Sequence, residues 1–240
     1  MSFYTDFASH YESIFPVDEG AYRFLLESTP AGGRVLDIGC GTGGHCGRMA
    51  QDGHECVGVD VDPEMVAAAT EAFPEASFRS LDMEDVGRLS GTFGCVYSIG
   101  NVLSHLPGPR LTRFLESVAG LVEPGGSWIF QTVNWDYILG LTSFRFPDVE
   151  VSDEGLVFER EYPSVARQGT PFVTRLRRFG EPLFEGEVTL YPVTSAEYLT
   201  AHEGLPFDVA GHYAGWEGRS FDAREMSSSV FHFRRRSDQP

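Results

Sequence analysis

Lysine is absent from the 240 residues: all 18 basic side chains are arginine, set against 35 Asp and Glu, for a formal net charge of −17. A surface so poor in positive charge repels phosphate backbones and anionic lipid, which argues against a nucleic-acid or membrane partner while leaving room for a local arginine patch. The same composition fits a salt-adapted protein, a reading that stability unchanged between low and molar salt would count against. No apolar run approaches the roughly 18 residues needed to cross a bilayer. The start, Met1-Ser2-Phe3-Tyr4-Thr5-Asp6, lacks the basic residues and apolar stretch of a secretion signal, so a cytoplasmic location is expected. Cysteine is scarce, at Cys40, Cys46, Cys56 and Cys95, with no Cys-x-x-Cys pair. Cys40, His45, Cys46, His54 and Cys56 lie close together, but Cys40 falls inside a glycine turn; small buried thiols are expected there and no metal. Internal repeats and low-complexity linkers are also lacking.

What is present is apolar mass, 42% hydrophobic and 13% aromatic, enough for a large core. From residue 34 to about 133, strand and helix signals alternate. Arg34–Ile38 is a short apolar run bounded by glycines, as in a buried parallel strand. Runs at His54–Asp60, Ser77–Leu81, Phe93–Ile99 and Ser127–Val133 repeat the pattern. Between them, Asp62 and Pro63 open a helix as N-cap and first helical residue. Leu111, Phe114, Leu115, Val118 and Leu121 space the buried face of another, over 109–121. Glu123–Gly126 reads as a turn. The alternation predicts an α/β fold: a Rossmann-like, mostly parallel seven-stranded sheet with helices on both faces.

The pattern then changes. Leu156–Tyr162, Phe172–Phe179 and Leu183–Tyr191 are β-rich runs separated by glycine and proline, as expected of an antiparallel insertion after the fifth strand. Thr194–Glu197 starts a helix, and Phe207–His212 and Ser229–Phe233 are candidate final strands. The expected organisation is one domain over 1–240. It comprises a helical or lid segment (1–33), a cofactor-binding core (34–135), a β-rich substrate-covering insertion (150–193) and a C-terminal completion of the sheet (194–240).

The chemistry concentrates at Gly39-Cys40-Gly41-Thr42-Gly43-Gly44, between a strand and a helix, where the backbone must turn sharply and admit a ligand without a Cβ in the way. Gly39, Gly41 and Gly44 satisfy Gly-x-Gly-x-x-Gly, with Asp60 about 20 residues later, which fits a dinucleotide as well as S-adenosylmethionine. Asp37, in the mouth of the turn, would repel a pyrophosphate and favour a sulfonium and an ammonium group. Asp82 ends the third strand, where an adenine amino group could donate to it. A second full-sized domain to hold a hydride-transfer partner is not expected from these residues. A nicotinamide-dependent oxidoreductase therefore stays as an alternative, as does a cofactor-binding regulatory protein without turnover.

Val35–Gly43, with Val59-Asp60, Leu81-Asp82-Met83 and Leu121–Gly126, resembles the signature segments of class I (Rossmann-like) S-adenosylmethionine-dependent methyltransferases over most of residues 1–135. Gly100–Leu106, Asn134–Leu139 and Leu190-Tyr191-Pro192 are similar to segments of the glycine N-methyltransferase branch. The resemblance implies methyl transfer to a small molecule, with an amine nitrogen as the expected acceptor. It implies that Gly39, Gly41 and Gly43 line the methionine portion with Asp37 orienting the turn, that Asp60 holds the ribose hydroxyls, and that Val61 is a further cofactor contact. Asp82 and Met83 would border the adenine, and Ile99 and His105 would sit beside the methionine end. Asn101 and Tyr191 would face the acceptor, with Tyr4 and Tyr11 as further aromatic contacts to substrate or cation. His105 is a candidate proton acceptor or cofactor-positioning group. Where that branch carries an arginine for the glycine carboxylate, Val133 stands here, so glycine is not the expected acceptor unless Arg175 or Arg177 substitutes. A homo-oligomer is compatible with the sequence.

Overall fold

The computed structural model describes residues 10–237; Tyr4 lies outside them. Five strands open the chain's main sheet: β1 (Arg34–Ile38), β2 (Glu55–Asp60), β3 (Ser77–Ser80), β4 (Phe93–Ser98) and β5 (Val122–Val133). Five more form a separate antiparallel sheet: β6 (Phe144–Arg145), β7 (Val149–Val151), β8 (Leu156–Tyr162), β9 (Thr170–Arg178) and β10 (Glu181–Leu190). The chain then returns, and β11 (Phe207–Tyr213) and β12 (Ser228–Arg235) complete a seven-stranded sheet of order β11-β12-β5-β4-β1-β2-β3. Strands β1 to β5 pair in parallel, and β12 runs antiparallel to both β5 and β11. This is the expected α/β architecture with its antiparallel insertion.

Side-chain alternation divides the core between the two faces of this sheet. Trp128 and Phe130 of β5 join Phe231 and Phe233 of β12 beneath the helices α5 (Gly108–Leu121) and α7 (Ser195–Ala201). The intervening Ile129 and Val230 point the other way, toward Tyr22 and Leu25 of α2 (Glu19–Ser28) and Met49 of α3 (Gly44–Gln51). His202 belongs to the first face. Trp128 Nε1 donates to its Nε2 at 3.1 Å, its Nδ1 lies 2.6 Å from the Tyr198 carbonyl, and burial pushes its pKa down to about 4. It is a neutral core histidine.

Local chemistry sets the element ends. Asp62 accepts the N–H groups of Glu64 and Met65 and Pro63 occupies the first turn of α4 (Pro63–Ala72), as the sequence predicts. Thr194 and Glu197 form a reciprocal capping box on α7. Two boundaries differ from expectation. Glu123–Gly126 is not a free turn but a bulge inside β5, since Phe93 pairs with Val122 and Cys95 next pairs with Ser127. The insertion begins earlier, at Phe144, because β6 and β7 are two and three residues long with Pro147 between them, too short to show a period. Among the described residues, no helix is long and apolar enough to cross a membrane.

Candidate active site

The carboxyl ends of β1, β2 and β3 meet at a cleft of about 330 Å³. The glycine bend forms its floor. The N–H groups of Gly39 and Cys40 both donate to the Val59 carbonyl, at 2.8 and 3.0 Å, which hooks the bend onto β2. Gly39 has φ +79°, and a Cβ there would lie 2.6 Å from Val102, so both torsion and space require glycine. Asp60, at the tip of β2, accepts the Gly41 N–H on one oxygen and the Asp62 N–H on the other, each at 2.9 Å. Those bonds aim the carboxylate into the cleft and leave it lone pairs for a further pair of hydroxyls. Asp82 ends β3 and accepts the Glu84 N–H at 2.9 Å, and Glu84 in turn holds Arg110 at 2.6 Å on the far rim. Val61, Met83, Ile99 and His105 supply the remaining walls that the sequence predicts.

Asp37 sits beneath the bend with 4% of its surface exposed. Burial raises its pKa to about 7, the Tyr97 hydroxyl lowers it, and the nearby Asp60 charge raises it again. The Tyr97 hydroxyl faces this carboxyl without reaching a well-formed hydrogen bond. A buried carboxyl with no cation beside it keeps its proton near neutrality; a cationic ligand would ionise it.

A second cavity, of about 470 Å³, opens between the glycine bend and the inserted sheet. Phe15, Phe146, Phe158, Tyr162 and Phe172 form aromatic walls, and Arg160 and Thr174 project into it from β8 and β9. Tyr11, Gly39, Ile99, Gly100 and His105 line both cavities, so the two spaces meet there. Burial depresses the His105 pKa, which keeps the ring neutral at pH 7. Tyr11 covers the bend: its ring would lie 3.3 Å from a Cβ on Gly41. The pairing of a polar, acid-rimmed cleft with an aromatic chamber can hold one ligand in each and let them touch at a single point.

Several predicted residues stand elsewhere than the sequence places them. Gly43 (φ +82°) backs onto Phe78 and Ala69, where a Cβ would come within 2.7 Å, and lines neither cavity. It serves helix–sheet packing. Tyr191 also lies outside both linings: it follows Leu190, the last residue of β10, with its N–H on the Ser104 carbonyl at 2.7 Å and its side chain near enough to Arg110 of the cleft to interact electrostatically. Asn101 lines the chamber in left-handed conformation (φ 66°), but its Oδ1 already accepts from Ser104 Oγ at 2.7 Å and the Val133 N–H at 3.2 Å. The amide nitrogen alone remains to face a ligand. Arg175 and Arg177 point to the outer face of the insertion, paired with Glu161, Glu185 and Glu159, and cannot replace the arginine missing at position 133. The four thiols are free, and the described residues hold no cluster of three or more side chains placed for a metal.

Arg160, Thr174 and the aromatic walls escape the sequence reading. A signal exists: Leu156, Phe158 and Tyr162 are the buried alternate positions of β8, and Arg160 shares their parity. A charge in that register must face the interior, but only once the strand's inner face is known.

Residues 35–126 match the family model of a methyltransferase domain. Among curated proteins, the ubiquinone biosynthesis O-methyltransferase of Xanthomonas axonopodis pv. citri is 34% identical over 110 residues, 44% of this chain and 45% of that one. The chain thus spans less than half the length of that relative. Among solved structures, an S-adenosylmethionine-dependent methyltransferase from Clostridium acetobutylicum superposes with TM-score 0.79 at 14% identity, covering 98% of this chain and 99% of the other. The CcbJ methyltransferase from Streptomyces caelestis gives TM-score 0.79 at 20% identity, with 98% and 99% covered. At such identities the likeness is one of fold, and it includes the inserted sheet.

Proposed function

We propose that this protein, whose fold is that of the class I S-adenosylmethionine-dependent methyltransferases, moves a methyl group from that cofactor to a small molecule, with an amine nitrogen as acceptor. The observation that carries the reading is the acid set around the bend. Asp37, Asp60 and Asp82 occupy successive strand ends, and the single arginine among the described cleft residues, Arg110, is spent on Glu84. A diphosphate would meet the Asp60 and Asp82 carboxylates and could not ionise Asp37 beneath them, whereas a sulfonium carrying an ammonium group meets favourable charge and can ionise it. The residues present therefore fit the cofactor. Asp60 and Val61 would hold its ribose, Asp82 and Met83 its adenine, and Asp37 with Gly39 and Gly41 its methionine portion.

When bound, S-adenosylmethionine supplies a methyl group already activated by the positive sulfur, so direct displacement needs alignment more than acid–base work. Tyr11 closes over the bend and excludes water from the point where cleft and chamber meet. His105, neutral at that junction, positions the reactants and can take a proton from an acceptor. Asn101 offers its amide nitrogen to the acceptor, fixed by the Ser104 and Val133 bonds. Tyr191, outside both linings, and Tyr4, outside the described residues, are kept as further aromatic contacts to the acceptor. The finer likeness to glycine N-methyltransferase supports nitrogen chemistry, but Val133 and the volume of the chamber point to an acceptor larger than glycine.

The test is transfer of label from methyl-labelled S-adenosylmethionine across a panel of small amines, phenols and carboxylic acids. Amine products are expected. Products from phenols or acids alone would move the acceptor atom to oxygen, and tight cofactor binding with no product at all would favour a regulatory binding protein.

A further inference from the structure

We infer that Arg160 and Thr174 form a carboxylate anchor in the chamber, so that the acceptor carries a carboxylate on a flat apolar body. The two residues are direct cross-strand partners on β8 and β9, and Gly186, without a side chain, opposes Thr174 on β10. The other arginines of this sheet's middle, Arg175 and Arg177, point outward and are paired with glutamates. Arg160 points inward and forms no ion pair among the described residues. One Nη donates to the Pro147 carbonyl at 3.2 Å, while its guanidinium carbon lies 5.2 Å from the Phe146 ring centre and 5.7 Å from that of Phe15. Its Nε and the Thr174 hydroxyl are both buried without a hydrogen-bond partner.

Two orphaned polar groups side by side in a ligand-sized cavity are costly unless a ligand satisfies them. Burial also lowers the Arg160 pKa, and Asp148, itself paired with Arg145, opposes this only from beyond ion-pair distance. A carboxylate answers both groups: it accepts from the guanidinium edge and from the hydroxyl, and it supplies the missing charge. Aromatic walls on either side suit a planar apolar body. The chamber lining also carries Glu12 and Asp18, which disfavour a dianion such as a phosphate and favour a monoanion that bears an amine.

The inference rests on the chamber being the acceptor site, and the experiment separates the two. Calorimetry on protein loaded with S-adenosylhomocysteine compares benzoate, 3-aminobenzoate and 3-phenylpropanoate with their primary amides. The acids should bind at least tenfold more tightly than the amides. Arg160→Gln should erase that preference without changing affinity for S-adenosylhomocysteine, and Thr174→Val should reduce it severalfold. Amides binding as well as acids, a preference surviving in Arg160→Gln, or no binding of any acid to loaded protein overturns the anchor. Failure of S-adenosylhomocysteine itself to bind overturns the methyl-transfer reading instead. Should Arg160→Gln not fold, the acid–amide comparison on the unaltered protein still decides.

Discussion

The cleft at the glycine bend and the chamber behind it share five residues yet are built on opposite principles. The cleft sets a few acids among aliphatic side chains: the acids stand at or just past the tips of adjacent strands, and backbone N–H groups orient two of them, Asp60 by Gly41 and Asp62 and Asp82 by Glu84. The chamber is aromatic and made of side chains, drawn from α1 (Tyr11–Ile14) with the loop after it, from the end of β5 and from the inserted sheet. The difference teaches that one half of the site is inherited with the sheet topology, while the other depends on which side chains the insertion turns inward. A cofactor common to many chains and an acceptor particular to one would demand that division.

Four substitutions can break or sharpen this contrast. The largest effect is expected from Phe158→Ala, which removes a ring 2% exposed between α1 and β9. It should cost roughly 3–5 kcal/mol of stability, read from denaturant unfolding, yet leave affinity for S-adenosylhomocysteine within about twofold; a collapse of that affinity would show the two halves to be one unit. Next, Asp60→Ala removes a ligand-facing carboxylate and the tether of the Gly41 N–H. Calorimetry should register a loss of about 3 kcal/mol, roughly a hundredfold in affinity, with the chamber's preference for acids intact.

Asp37→Asn tests the buried charge. Because the folded-state pKa is raised from 3.8 to about 7, the folded chain keeps a proton that the unfolded chain has lost. The group's stabilising contribution is therefore present at low pH and disappears as pH rises from about 4 to 7, by up to about 1.4 kcal/mol per pH unit. The asparagine variant should melt roughly 10 °C higher than the parent at pH 8, with the gap closing toward pH 4, and should bind S-adenosylmethionine more weakly. An unchanged melting profile would mean that Asp37 is hydrated. The smallest effect is expected at His105. If His105 positions the reactants as proposed, its replacement by glutamine should lower turnover about tenfold with no change in the pH profile above 7, whereas an essential base contributes roughly 10²–10⁴-fold.

The cleft was largely legible in the sequence and the chamber was not, for a physical reason. Strand ends, caps and glycine bends are encoded within a few neighbouring residues, so β1, α4 and the acids Asp37, Asp60 and Asp82 could be placed from local pattern alone. Gly43 misleads because a left-handed glycine serves a tight packing contact as readily as a ligand; only Phe78, on another strand, tells the two apart. Tyr191 is hard to place from pattern because it stands just past the end of β10, where alternation no longer fixes a direction. Arg160 hides because one residue of strand register decides which way it points, and its partner Thr174 lies on the next strand, at a pairing set by the hairpin.

Everything in the cleft turns on the charge of what it holds. A calorimetric competition between S-adenosylhomocysteine and NADH for the unmodified protein addresses this most directly. Saturable one-to-one binding of S-adenosylhomocysteine, undisturbed by NADH in large excess and weakened by Asp60→Ala, is the predicted result. Binding of NADH that S-adenosylhomocysteine fails to displace would contradict it and return the glycine bend to a diphosphate.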